Sequence, residues 1–202
     1  MTQPRSEVSK QRALLVVDVQ NDFCPGGALP APGCHRILPA LNAYLTEAQQ
    51  LAMPIYASRD WHPPATTHFQ PFGGEWPPHC VQGSDGARFH PQLDLPASAI
   101  VVSKGEDPER PGYSAFDGHT PEGQPFLTDL RRRQIDGLYI TGLTTEYCVK
   151  QTTLDALRAG LHVIVLTDAI AGIDAHPGDA DRALSEMAQA GAELATGLSA
   201  HR

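Results

Sequence analysis

Five short apolar runs, each nearly unbroken, set the tightest limit on how this chain can fold. They are residues 13–18 (ALLVVD), 54–58 (PIYAS), 99–104 (AIVVSK), 138–141 (LYIT) and 162–167 (HVIVLT). A strand with one wet face alternates apolar and polar side chains; these do not, so both faces are covered, as in a parallel sheet between helices. Amphipathic segments separate the runs. Ile37, Leu38, Leu41, Leu45 and Ala48 share one helical face, as do Val149, Thr153, Ala156, Leu157 and Gly160. Residues 179–192 read as a last helix and 193–196 as a last short strand. Strand–helix alternation of this kind predicts an α/β fold, a three-layer sandwich built on a mainly parallel sheet. A length of 202 residues suits one domain, 1–202, with residues 1–11 a flexible N-terminal extension.

Composition removes several function classes. The net charge is −8, and Arg131, Arg132 and Arg133 form the only dense basic patch, which reads as the solvated face of a helix. Nucleic acid needs a broad basic face, so no nucleic-acid partner is expected. No apolar stretch reaches the roughly 18 to 20 residues that span a bilayer, and the polar N-terminus is unlike a signal peptide. A cytoplasmic protein without membrane contact is therefore expected. Cys24, Cys34, Cys80 and Cys148 show no CxxC pairing and read as free thiols in a reducing compartment.

Residues 60–96 interrupt the pattern. This stretch lacks a convincing regular element, yet it holds seven prolines, both tryptophans and four of the nine histidines. Long loops in compact domains are usually functional or disordered, and the concentrated aromatics argue against disorder. Ligands of open α/β sheets bind beyond the carboxyl ends of the strands. Asp18, Asp60 and Lys104 fall at such ends, where Asp18 alone could as well cap a turn and a lone lysine is more often solvated than catalytic. Cys148 begins a helix after GLTTEY; most lone cysteines are inert, but a helix N-terminus and a nearby lysine would favour its thiolate. Asp60, His62 and His79 offer one carboxylate and two imidazoles, a set that leaves a divalent metal with open positions.

Six strings occur in register: DVQNDFCPGGAL (18–29), SRDWHPP (58–64), EWPPHCVQGSDGARFHP (75–91), SKG (103–105), YSAF (113–116) and GLTTEYCVKQTTLDALRAG (142–160). Together they resemble the nicotinamidases of the isochorismatase-like cysteine hydrolase family, over about residues 12 to 195. The resemblance implies a Rossmann-like αβα sandwich that hydrolyses nicotinamide to nicotinate and ammonia through a cysteine thioester, in NAD salvage. It implies catalytic roles for Asp18, Lys104 and Cys148. One divalent ion, zinc foremost with iron or manganese as alternatives, would sit on Asp60, His62 and His79, and His68 matches a further ligand found in part of the family. Phe23, Trp76 and Tyr113 match the walls of the pyridine pocket. The resemblance also places a cis peptide at Leu143–Thr144 and an oxyanion hole at the N–H groups of Thr144 and Cys148. It leaves a homo-oligomer open. Glu146 stands where Asp is usual, Ser84 where Thr is usual, and GEDPERPG (105–112) is longer than usual, which bears on one pocket wall. The alternative is a related cysteine amidase acting on N-carbamoyl or ureido compounds. An isochorismatase proper does not use the cysteine retained here, and a non-catalytic module would be expected to have lost at least one of the six chemical residues.

Overall fold

β1 (Gln11–Val17) is the apolar run that needs cover on both faces, since Ala13 to Val17 are all fully buried. It lies at the centre of the sheet. On one side it pairs in parallel with β2 (Ile55–Asp60), which pairs with β3 (Ile100–Lys104). On the other it pairs with β4 (Ile135–Leu143), followed by β5 (His162–Ala171) and β6 (Glu193–Ala195). The order is β3-β2-β1-β4-β5-β6, parallel throughout. The structure, a computed structural model, describes residues 11–198.

Side chains alternate between the faces of β1 and so separate two cores. Leu14 and Val16 pack with Ile37, Leu41 and Leu45 of α1 (Cys34–Gln50). Leu15 and Val17 pack with Phe126 and Leu130 of α2 (Phe126–Arg132), Ala156 of α3 (Lys150–Arg158) and Met187 of α4 (Asp179–Gln189). The expected three-layer αβα sandwich is therefore what forms. Among the described residues no helix is long and apolar enough to cross a membrane.

Three expectations need amending. Of the supposed N-terminal extension, Gln11 already opens β1, and residues 1–10 lie outside the described residues. The arginine run is exposed as anticipated, but it closes a helix the apolar pattern had not marked, and Arg132 and Arg133 donate to the buried Asp129 at 2.6 and 2.8 Å. Asp129 also accepts from the buried Tyr56 hydroxyl at 2.7 Å, tying α2 to β2. Finally, Cys24 and Cys34 are not free thiols but a disulfide. Between them the chain turns back, with Ala31 N–H donating to Phe23 O and Cys34 N–H to Ala31 O, both at 3.0 Å, which brings the two Cα atoms to 5.3 Å. Cys80 and Cys148 are free and buried.

Candidate active site

The chain order reverses between β1 and β4, and in open α/β sheets the crevice at such a reversal is where ligands bind. Asp18 leaves the end of β1 in a left-handed conformation, φ 48°. Asp60 and Lys104 are the last residues of β2 and β3 and lie in register with one another. Beyond β4 the chain makes a single π-helical turn, Thr145–Val149, which carries Cys148 into α3. Gly142, φ 107°, near the end of β4, lets that strand close on β1, because a Cβ there would meet Val17 O at 2.1 Å.

Lys104 sits where these elements converge, with its side chain fully buried. Its Nζ lies 2.5 Å from Asp60 Oδ1, 3.3 Å from Gly112 O and 3.4 Å from Cys148 Sγ. Asp18 Oδ2 lies 2.8 Å from the same ammonium, as an ion pair outside hydrogen-bond alignment, while Asp18 Oδ1 accepts from Ser58 Oγ at 2.7 Å. Burial alone would lower the lysine's pKa, but Asp18 and Asp60 outweigh it and hold the pKa well above its usual value. Asp60 is pushed up by burial and pulled further down by Lys104 and His62, so it is a firm carboxylate. For Asp18 the balance reverses: burial outweighs Lys104 and raises its proton affinity. Burial also raises Cys148 well above a normal thiol, more than Lys104 lowers it. Burial thus opposes the thiolate that a lysine and a helix N-terminus favour, and Asp18 stands close enough to Cys148 to serve as its base.

The imidazoles form an adjoining cluster. His62 Nδ1 pairs with Gly105 O at 3.0 Å and His79 Nδ1 with Pro77 O at 2.8 Å. Carbonyl partners make each Nδ1 the donor, which turns the lone pair of Nε2 inward. Those Nε2 atoms lie 3.5 and 4.0 Å from Asp60 Oδ2. His62 Nε2 is buried without a hydrogen-bond partner among the described residues. His68, left aside in the core set, stacks on His62 at 4.8 Å between centroids, and its ring nitrogens join those of His62 and His79 within 4.8 Å. Burial, then His62 and His79, push the His68 pKa down to about 4, which suits a metal ligand. An orphaned nitrogen, inward-facing imidazoles and one carboxylate fit a divalent ion. Gly105, φ 69°, is needed for this packing, since a Cβ there would lie 2.5 Å from His62 Cε1.

The cleft above Cys148 is lined by Phe23, Trp76 and Tyr113, the three expected walls, which the structure brings together with Asp60, His68, His79 and Thr144. Trp76 Nε1 donates to Tyr113 Oη at 2.9 Å. The Leu143–Thr144 peptide is cis, as expected. The long 105–112 segment docks on the histidine loop, where Pro108 O accepts from Thr67 N–H at 2.9 Å and from both threonine hydroxyls, Thr66 and Thr67, at 3.0 Å. Sequence reasoning missed Leu29, Tyr147 and Ile173 in the lining. It also missed Gln20, whose side chain accepts from Asp60 N–H at 2.8 Å and donates to Asp60 O at 2.8 Å, gripping both sides of that residue. Its place in DVQNDF, two residues past Asp18, was the one available signal.

Known proteins share this arrangement of sequence and fold. The isochorismatase domain matches residues 12–198. The nicotinamidase of Escherichia coli is 43% identical over 201 residues, covering 92% of this chain and 94% of the relative. The nicotinamidase/pyrazinamidase of Mycobacterium tuberculosis is 42% identical, covering 91% and 97%. The pyrazinamidase of Pyrococcus horikoshii in complex with zinc superposes with a TM-score of 0.85 at 43% identity, covering 93% of this chain and 99% of that one. An L. infantum protein in complex with nicotinate gives 0.79 at 30% identity, covering 93% of each chain. The domain match and these identities, over nearly the whole of both partners, make the chain a member of the isochorismatase-domain hydrolases.

Proposed function

We propose that this protein is a nicotinamidase that hydrolyses nicotinamide to nicotinate and ammonia, using Cys148 as nucleophile and Asp18 as acid and base. The observation that carries the mechanism is the buried ammonium of Lys104, in contact with Asp18 and Cys148 beneath an aromatic cleft. The substrate is the one named for the E. coli and M. tuberculosis relatives. The reading treats residues 1–202 as one cytoplasmic hydrolase domain acting on a small molecule in NAD salvage.

A primary carboxamide is a poor electrophile with a poor leaving group, so the chain must supply nucleophile, proton transfer and oxyanion stabilisation. Asp18, its proton affinity raised by burial, takes the Cys148 proton as the sulfur attacks the amide carbon. The N–H groups of Thr144 and Cys148 receive the oxyanion. Asp18 then protonates the departing ammonia, leaving a thioester, and acts once more as base for the water that hydrolyses it. Lys104 stays protonated and keeps Asp18 in place throughout. Asp60, His62 and His79, with His68 beside them, would hold a divalent ion, zinc by preference, which when bound supplies Lewis acidity towards a ring nitrogen or a water. Phe23, Trp76 and Tyr113 stack around the pyridine ring.

Ammonia release from nicotinamide by the purified protein is the direct test. Cys148→Ala is expected to lose turnover by at least about 10³-fold while retaining nicotinamide binding by calorimetry. Release that survived this replacement would end the mechanism, and cleavage of an N-carbamoyl compound with none of nicotinamide would end the substrate assignment.

A further inference from the structure

Glu146 is buried in the π-helical turn, two residues before Cys148, and the proposed mechanism gives it nothing to do. Its carboxylate faces away from the reacting atoms, into the turn that follows β5. There Oε1 accepts from Asp174 N–H at 2.7 Å. Oε2 is packed so closely over Gly172 that a Cβ at that position would meet it at 2.4 Å. Oε2 has no hydrogen-bond partner among the described residues, although burying a carboxylate oxygen in that way is costly. Asp174 is itself held in a left-handed conformation, φ 54°, and its side chain accepts from Ala180 N–H at 3.2 Å at the start of α4.

Between the two points that Glu146 grips lies Ile173, which lines the cleft above Cys148. Ile173 and Leu29 pack with Phe23 on the core of one sheet face, whereas Tyr113 and Tyr147 pack on the core of the other. The cleft thus has one side on which the aliphatic Ile173 and Leu29 flank Phe23 and another formed by the two tyrosines, and the width between them depends on where Ile173 stands. We propose that Glu146 is a positioning residue that sets the Ile173 side of the cleft, fixing how large a substituent a bound pyridine carboxamide can carry. Gly172 is the second half of the device, because only a residue without Cβ lets the carboxylate lie against the backbone. The proposal rests on the nicotinamidase reading for its substrate class.

The test compares steady-state ammonia release from nicotinamide and from 5-methylnicotinamide, with the rate of Cys148 alkylation by iodoacetamide as a measure of the nucleophile. Glu146→Ala removes the grip, Glu146→Gln keeps an acceptor for Asp174 N–H, and Gly172→Ala crowds the carboxylate from a position outside the turn that bears Cys148. Glu146→Ala and Gly172→Ala should each raise KM for nicotinamide about tenfold, narrow the preference over the methylated analogue by a similar factor, and leave kcat and alkylation within about threefold. Glu146→Gln should restore most of the wild-type KM. If Glu146→Ala does not fold, Gly172→Ala carries the same expectation. Unchanged KM and preference in Gly172→Ala, or a fall in kcat and alkylation with KM unchanged, would overturn the proposal. A wild type inactive on nicotinamide would instead overturn the substrate reading, so the two failures are distinguishable.

Discussion

A single buried lysine lies between two buried carboxylates here, and most of the site's chemistry follows from that arrangement. Removing it leaves both carboxylates without their cation in a dry interior. Lys104→Met should therefore cost folded stability as well as activity, by about 3 to 5 kcal/mol in urea denaturation, because breaking a buried pair leaves an uncompensated charge. A variant with wild-type stability and no activity would show that Lys104 serves chemistry alone. The six candidate residues, which the structure gathers in one place, could be picked out because each stands at a strand end or inside a short local string. Gln20 and Ile173 were not picked out, since only its place in DVQNDF marks a glutamine that grips a backbone 40 residues away, and an isoleucine facing a cleft carries no local mark. Nor does sequence spacing report desolvation: proximity to a lysine favours a thiolate at Cys148, and its depth of burial pulls the other way.

Elements were legible where their periodicity was long. The sheet strands and α1 follow from apolar pattern, whereas α2 spans seven residues, too few to display a face, and is defined by what Asp129 does. Burial pushes the Asp129 carboxyl up, but hydrogen bonds from Arg132, Tyr56 and Arg133 outweigh it and hold the pKa below its usual value. A depressed folded pKa means that this stabilisation is full above the unfolded carboxyl's pKa and is lost as pH falls through the folded one. Tyr56→Phe should cost about 1.5 to 3 kcal/mol near neutrality, with the deficit shrinking below the ordinary carboxylate range. A deficit that persisted in acid would assign the loss to packing. The disulfide was invisible for a different reason: two cysteines ten residues apart pair only because the loop turns back through Ala31. Cys34→Ser should lower stability by about 2 to 3 kcal/mol, and dithiothreitol should bring the wild type to the same denaturation midpoint. Equal midpoints for oxidised and reduced wild type would refute that contribution.

At the scale of the whole molecule, the histidine loop hangs from the carboxyl edge of the sheet, so a metal there binds the folded chain and not the unfolded one. Zinc at about a hundred times its Kd should add roughly 2.7 kcal/mol of stability, read as a rise in melting temperature that a chelator reverses. His62→Ala combined with His79→Ala should abolish the response; a zinc-dependent rise that survived would place the ion elsewhere. Strand order was less legible than strand identity, because apolar runs name the strands without saying which lie side by side. The order found has a consequence in time. β1 is the first element described and sits at the centre of the sheet, with Gln11 opposite Ile135 on one edge and Leu14 opposite Ile55 on the other. At ribosomal speeds of roughly 5 to 20 residues per second, β2 is made within several seconds of β1, but β4 follows only after about 6 to 25 seconds. For that interval the central strand, fully buried from Ala13 to Val17 in the finished fold, has one open edge, and a nascent chain must keep it from neighbouring chains until its own partner is made.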